Sequence, residues 1–241
     1  MIFDIHSHIL PRVDDGAKSV KESCDLLRKL KTQKVDAIIA TPHLYIPSGP
    51  ADEVKEKAEK AYAVIKEETE KIQGPELFLG YEVGYFNGIA SAEDVKKFTL
   101  CGTNYILLEL PLSSITDKMV DDILEMSYNF KLIPIFAHLE RYLRVKGIGK
   151  ILSMIENGDA FAQITAEKPI GFFKKCPADK LIEGGYVSFI GSDCHSVDKR
   201  PPLMDEFYAY ATQKYSEGFA KYISENNQNL YNVITKKSQS D

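Results

Sequence analysis

Residues 2–8 read IFDIHSH: a short apolar run that carries one acid, Asp4, and closes on two imidazoles, His6 and His8, two positions apart. The spacing suits a β-strand, in which residues i and i+2 share a face. Six further short runs of this type follow, at 35–40, 77–82, 105–110, 132–137, 160–164 and 186–190, separated by longer segments of helical spacing. Several are apolar throughout, as parallel strands covered on both faces should be. Seven rounds of strand and helix predict an α/β chain. Periodicity alone leaves the sheet free to close into a barrel or to lie open and doubly wound.

Between the runs, Val20, Cys24, Leu27 and Leu30 fall on one helical stripe, with Ser19 and Glu22 as a capping box at its start. Ser91 with Asp94 reads as a weaker start signal of the same kind. Residues 51–71 mix Glu and Lys at three- and four-residue spacings, the pattern of a solvated helix face rather than a binding patch. No low-complexity linker divides the chain, so residues 1–234 are expected to form one domain. The tail from Thr235, with Lys236, Lys237 and Ser238, is expected to be disordered.

The 241 residues, 44% apolar and 27% charged, suffice for one full hydrophobic core. The net charge of -5 is spread along the chain, which argues against a basic face for nucleic acid. No apolar run approaches the ~20 residues of a membrane-spanning helix, and the N-terminus lacks the layout of a secretory signal, so the cytoplasm is the expected location. The four cysteines are dispersed with no C-x-x-C pair, which suits reduced thiols better than disulfides or a zinc knuckle.

The polar residues favour the barrel. All five histidines lie at or just past the end of an apolar run: His6 and His8 after the first, His43 after the second, His138 after the fifth and His195 after the seventh. Glu82 ends the third run, Glu109 lies near the end of the fourth, Asp15 follows in the first loop and Asp193 precedes His195. In a β/α barrel the strands' carboxyl ends are where functional groups gather, and chance would place five histidines there only about once in a few thousand trials. Each residue alone reads as structural; the ensemble reads as a site. H-x-H and D-x-H both use the two-residue strand period, which would aim each pair at one centre, and Asp4, one step deeper, could orient a ligating imidazole.

Imidazoles and carboxylates without thiolates suit Mn, Fe or Zn in a catalytic setting, and nine candidate ligands suit two or three ions. Three divalent ions would bring more positive charge than Asp15, Glu82, Glu109 and Asp193 cancel. Such a cluster favours an anion and lowers the pKa of bound water, so phosphate-ester hydrolysis follows. Arg141, three residues past His138, and Arg200, five past His195, lie in loops on the same face, where guanidinium forks would hold phosphoryl oxygens.

The strings IHSHILPRVDDGAKS, IATPH, GYEV, LLELP, FAHLERY and GSDCHSVDKRPP, in this order and spacing, resemble the polymerase-and-histidinol-phosphatase (PHP) superfamily. More closely, they are similar to its bacterial branch of metal-dependent protein tyrosine phosphatases from capsule and exopolysaccharide operons. The resemblance spans nearly the whole chain. It implies a distorted (β/α)7 TIM-like barrel with two to three divalent ions at the strands' carboxyl ends, manganese foremost, with iron, zinc or magnesium as alternatives. Carried over position by position, the ligands would be His6, His8, Asp15, His43, Glu82, Glu109, His138, Asp193 and His195, with Arg141 and Arg200 as phosphate-binding residues. The implied partner is a tyrosine-phosphorylated protein, the tail of a bacterial tyrosine kinase that regulates polysaccharide synthesis. The chain departs from the pattern at Leu44, where many relatives carry a second His, and in the loop that begins at Thr165.

Other readings predict different chemistry. Cys194 and Arg200 stand in a C-x5-R arrangement like that of cysteine-dependent phosphatases. Its interior has no Gly, however, and Asp198 would repel a phosphate cradled by backbone N–H groups. A small-molecule phosphatase of the histidinol-phosphate type shares the ligand set, and a non-catalytic metal-binding module would keep it without turnover.

Overall fold

The protein is described here by a computed structural model that covers residues 1–48, 51–167, 176–215 and 217–238. In chain order the strands are β1 (Phe3–Ser7), β2 (Ala37–Ala40), β3 (His43–Leu44), β4 (Glu76–Leu79), β5 (Glu82–Gly84), β6 (Tyr105–Glu109), β7 (Ile133–Phe136), β8 (Phe161–Thr165) and β9 (Phe189–Gly191). The longer strands form on the apolar runs, which both faces of the sheet can bury. The helices are α1 (Val20–Thr32), α2 (Ala51–Lys71), α3 (Asp117–Phe130), α4 (Ile148–Glu156), α5 (Asp179–Glu183), α6 (Met204–Tyr215) and α7 (Glu217–Ser238).

The strands pair in parallel as two ladders, β1-β2-β4 and β3-β5-β6-β7-β8-β9. The third anticipated run is thus split at Gly80-Tyr81 into β4 and β5, and β3 is an added strand past the end of the second run, set off from it by Thr41-Pro42, where the proline has no N–H for a ladder. The rows stay side by side through the interruption: Thr41 N–H donates to Ser7 O (2.8 Å), Gly80 N–H to Ala40 O (2.9 Å) and Glu82 N–H to Pro42 O (3.1 Å). At the far edge, Asp193 N–H donates to His6 O (2.8 Å) and His8 N–H to Cys194 O (2.9 Å), so the segment after β9 lies against the end of β1. The parallel sheet therefore curls.

Apolar side chains cover both faces. Alternate strand residues Phe3, Ile5, Ile39, Leu107, Ile135 and Phe189 gather in one cluster, sealed by Leu230 and Ile234 of α7. Their neighbours Ile38, Leu108 and Ile164 pack with Leu27 of α1, Ile123 of α3 and Ile151 of α4. Each fully buried Leu or Ile contributes about 1.5–3 kcal/mol. This two-sided core holds the strand ends rigid beneath the polar residues.

Helix α1 begins as the capping box anticipates: Ser19 Oγ accepts from Glu22 N–H at 3.2 Å. The return bond from Glu22 goes to Lys18 N–H, one residue early. Helix α2 spans the Glu/Lys-rich segment, where Lys55–Glu59 and Lys60–Glu56 pair across one turn on the outer face. The Ser91/Asp94 signal instead yields two short 3-10 turns, Ile89–Ser91 and Glu93–Lys97, without a side-chain cap. The tail also differs from expectation. Helix α7 runs through Thr235 to Ser238 because Leu230 and Ile234 are buried, and Lys236 and Lys237 complement its C-terminal dipole. Residues 239–241, and 168–175 of the loop after Thr165, lie outside the described residues. Leu44 is buried in β3, within the core.

Candidate metal centre

The first loop builds one wall. Ala17 N–H returns to His8 O at 3.0 Å, and a Cβ on Gly16 would stand 2.0 Å from that same oxygen, so only glycine lets the chain fold back this closely. The fold-back turns two adjacent acids in different directions. Asp14 faces inward, its Oδ2 accepting from His8 Nδ1 (2.7 Å) and from His43 N–H (3.1 Å). Asp15 stands at the exposed lip, with Oδ1 3.3 Å from His195 Nε2 and 3.5 Å from His43 Nε2.

Glu82, at the start of β5, is the hub. Its Oε1 lies 2.9 Å from His138 Nε2, and its Oε2 lies 3.2 Å from both His6 Nε2 and His8 Nε2 and 2.9 Å from His43 Nδ1. Asp193 Oδ1 approaches His8 Nε2 at 3.4 Å, His195 Nδ1 at 3.6 Å and His6 Nε2 at 3.7 Å. Glu109, from β6, lies 3.5 Å from His138 Nε2 and 4.0 Å from His43 Nδ1. The nine residues picked out from sequence therefore converge. Three overlapping sets have donor atoms within 4.8 Å of one another: His8, Asp15, His43 and His195; His6, His8 and Asp193; His43, Glu82 and Glu109.

The partners on the far side of the rings fix which nitrogen faces the centre. Gln163 Oε1, a pure acceptor, takes His6 Nδ1–H at 3.0 Å; Asp14 takes His8 Nδ1–H; the Asp193 carbonyl oxygen takes His195 Nδ1–H at 2.9 Å. With an ion bound, each would present an unprotonated Nε2 inward, the arrangement metal-ligating histidines adopt. The donor set itself fits divalent ions. His43 Nδ1, Glu82 Oε2 and His195 Nε2 are buried without any hydrogen bond, although carboxylate and imidazole atoms crowd around them. Buried polar atoms left unmatched in this way are costly in a folded protein unless an ion takes them up.

The electrostatics follow from crowding. Burial alone would raise the Glu82 carboxyl, but attraction to the His6 imidazole and the close approach of His138 and His43 hold it well below its ordinary value. Asp193 is held well below for the same reason, through His6, His8 and Arg141. Burial opposes charge on His138, yet Glu109 and Glu82 raise it to about 9. His195 moves the other way, to about 4, because burial is reinforced by the His8 and Arg200 charges.

Arg141 and Arg200 meet on one atom. Both Nη2 groups donate to Asp193 Oδ2, Arg200 at 2.6 Å. Together with Thr165, Lys199 and Pro201 they line a cavity of about 180 Å³ beside Asp193.

Two expectations are revised. Asp4 does not reach an imidazole: its Oδ1 accepts from the backbone N–H of Ser192 (2.7 Å) and His6 (3.3 Å). Gln163 holds the His6 ring instead, and also takes His138 N–H at 2.9 Å. The strand period is not what aligns Asp193 with His195, since β9 stops at Gly191; a left-handed backbone at Asp193 (φ 49°) turns the chain there. Asp14 and Gln163 escaped the sequence reading. The paired acids of D-D-G signalled the first, and nothing distinctive signalled the second. Cys194 is fully buried and its thiol is pushed up by desolvation, which removes it from phosphate chemistry.

A family model described as capsular polysaccharide synthesis, CpsB/CapC, matches residues 2–232. CapC of Staphylococcus aureus is 33% identical over 216 residues, spanning 85% of this chain and 81% of that one. The tyrosine-protein phosphatase YwqE of Bacillus subtilis strain 168 is 30% identical over 213 residues, spanning 83% and 79%. The tyrosine-protein phosphatase CpsB of Streptococcus pneumoniae is 28% identical over 233 residues, spanning 92% and 94%. A solved structure from work on YwqE and CpsB, described as unique metal-dependent tyrosine phosphatases, superposes with a TM-score of 0.81 at 24% identity, covering 97% of this chain and 94% of its own. It shares the curled parallel α/β fold. On the extent of the family match and these identities, the chain belongs to the CpsB/CapC family of capsular polysaccharide synthesis.

Proposed function

We propose that this chain is a metal-dependent protein tyrosine phosphatase acting in capsular or exopolysaccharide synthesis. The observation that carries the reading is the convergence of nine imidazole and carboxylate groups on one centre, with His6, His8 and His195 held so that Nε2 faces inward. Beside this centre two guanidiniums share the cavity of about 180 Å³. The names of the relatives support the same substrate class.

The ligands in this reading are His6, His8, Asp15, His43, Glu82, Glu109, His138, Asp193 and His195, holding two to three divalent ions, manganese foremost. When bound, such ions supply a hydroxide nucleophile at neutral pH and offset the charge of a phosphoryl group. The chain's own residues do the rest. Gln163, Asp14 and the Asp193 carbonyl keep three rings in the ligating tautomer. Arg141 and Arg200 present guanidinium N–H donors where phosphoryl oxygens carry charge.

We further infer that residues 1–234 are one domain and that the curled sheet is a distorted (β/α)7 barrel. The contact of β1 with the segment after β9 supports this, as does the continuity of β2 with β3 and of β4 with β5. The substrate in this reading is a phosphorylated tyrosine kinase tail, met in the cytoplasm; among the described residues no helix is long and apolar enough to cross a membrane. Elemental analysis and phosphate release from a phosphotyrosyl peptide, before and after chelation, test the proposal. Bound divalent metal with chelator-sensitive turnover is expected. Turnover of histidinol phosphate but not of the peptide would move the chain to small-molecule chemistry, and metal binding without turnover would leave only a binding module.

A further inference from the structure

The two flanks of the metal centre differ in chemistry. The Asp193 flank is charged: Arg141, Lys199 and Arg200 stand there beside Asp193 and Glu167. The Glu109 flank is aromatic and apolar: a cleft of about 270 Å³, open to solvent, lined by Tyr45, Gly84, Tyr85, Glu109, Pro111 and Leu112. Glu109 belongs to both the cleft and the metal centre, so the cleft adjoins that centre at this carboxylate.

Tyr45 is held in place by three contacts although it is nearly half exposed. Its hydroxyl donates to Glu109 Oε2 at 2.6 Å, and its ring stacks on His43 with centroids 5.5 Å apart. One edge of the ring also abuts Gly84, where a Cβ would come within 2.5 Å of it. Any other residue at position 84 would push the ring aside. Leu112, on the same cleft, leaves 72% of its surface in water. A half-exposed ring fixed on three sides and an exposed leucine give the cleft two apolar contributors beside Glu109. Exposing that area has a cost that burial by a ligand recovers, at about 25 cal/mol per Å². An apolar cavity of about 150 Å³ already holds benzene, so the cleft has room for a phenyl ring.

We propose that this cleft seats the aromatic ring of the phosphomonoester while its phosphoryl group lies toward the arginines, and that Tyr45 and Leu112 make the site select aryl over alkyl phosphates. The inference deepens the phosphatase reading and rests on it for the identity of the ligand. The occupant is the ring itself because the cleft begins at a metal-centre carboxylate, within reach of an ester whose phosphorus lies over that centre.

The test compares binding of phenylphosphonate and methylphosphonate to the manganese-loaded full chain by calorimetry. Neither probe can be hydrolysed, and neither carries flanking peptide. Wild type is expected to prefer the phenyl probe by about tenfold or more, as a buried ring should. Leu112→Ser, at an exposed position, and Tyr45→Ala are each expected to cut that ratio to threefold or less, with folding checked by thermal unfolding. Tyr45→Phe, which keeps the ring and removes only the Glu109 bond, is expected to retain most of the preference. Equal affinity for both probes in wild type, no binding of either, or an undiminished ratio in both Leu112→Ser and Tyr45→Ala overturns the inference. Phenyl preference in a protein that releases no phosphate from a phosphotyrosyl peptide would overturn the phosphatase reading and leave the ring site standing.

Discussion

Asp14 Oδ2 lies 2.7 Å from His8 Nδ1 and fixes the proton on that nitrogen, which leaves Asp15 as the acid that faces His43 and His195. The two adjacent acids therefore divide the work, one orienting a ring and the other standing at the open lip. Asp14→Ala is expected to weaken metal affinity by about 10–100-fold, the usual cost of losing an outer partner of a ligating histidine. Metal titration of the variant, with circular dichroism to confirm folding, checks this; unchanged affinity would remove Asp14 from the role.

Arg200 donates to Asp193 at 2.6 Å from a side chain that is two-fifths exposed, so its loss should spare the buried ligands. Arg200→Ala is expected to keep its metal content and lose turnover of an aryl phosphate by about tenfold or more. Because Arg141 shares the same Asp193 oxygen, the double variant is expected to deviate from the product of the two single effects. A fully active Arg200→Ala would show that phosphoryl oxygens are held elsewhere.

The acid–base balance of the metal-free protein gives a third prediction. His138 titrates at about 9 against an ordinary 6.5, so the stability it contributes is complete below 6.5 and lost as pH rises through about 9. His195, lowered to about 4, contributes above 6.5 and loses that contribution as pH falls toward 4. After chelation the melting temperature should peak near pH 6.5 and fall on both sides. His138→Gln should make the alkaline fall shallower without touching the acid side, the remainder coming from His8 and His43, whose pKa values are also raised. Metal uptake at pH 7.5 should release a proton from His138, visible as a calorimetric enthalpy that varies with buffer ionisation heat. A melting temperature that rises steadily from pH 6.5 to 9 would contradict the His138 assignment.

Cys194 supplies a fourth. Its side chain is fully buried between two residues that face the centre, and it packs in the apolar core. Cys194→Ala is expected to cost on the order of 1 kcal/mol of stability through a small cavity and to keep at least half of the activity. Chelation should abolish activity in both forms. Loss of activity in a folded, metal-replete Cys194→Ala would revive thiolate chemistry.

The histidines were legible in sequence because they are few and because each closes an apolar run, so strand ends alone located His6, His43 and His138. Asp14 was hidden by its neighbour: in a loop no period says which of two adjacent acids turns inward, and the answer depends on Gly16 folding the chain back onto His8. Gln163 was hidden by its type, since an amide in a strand has no signature until an imidazole is seen behind it. The short strand beyond Pro42 and the split of the third run at Gly80 were invisible to hydropathy, which reads composition and not hydrogen-bond partners. The tail misled in the opposite direction, its lysines and serine masking the apolar grip of Leu230 and Ile234 one turn earlier.

The donors that surround Glu82 run from residue 6 to residue 195, and no local stretch of chain supplies more than a few of them. Long-range pairings of this kind form late in folding. A ribosome-bound nascent chain that has not yet released His195 thus has an incomplete chelator. Ion capture at full strength becomes a sign that synthesis has passed the seventh round and that the two edges of the sheet have found each other.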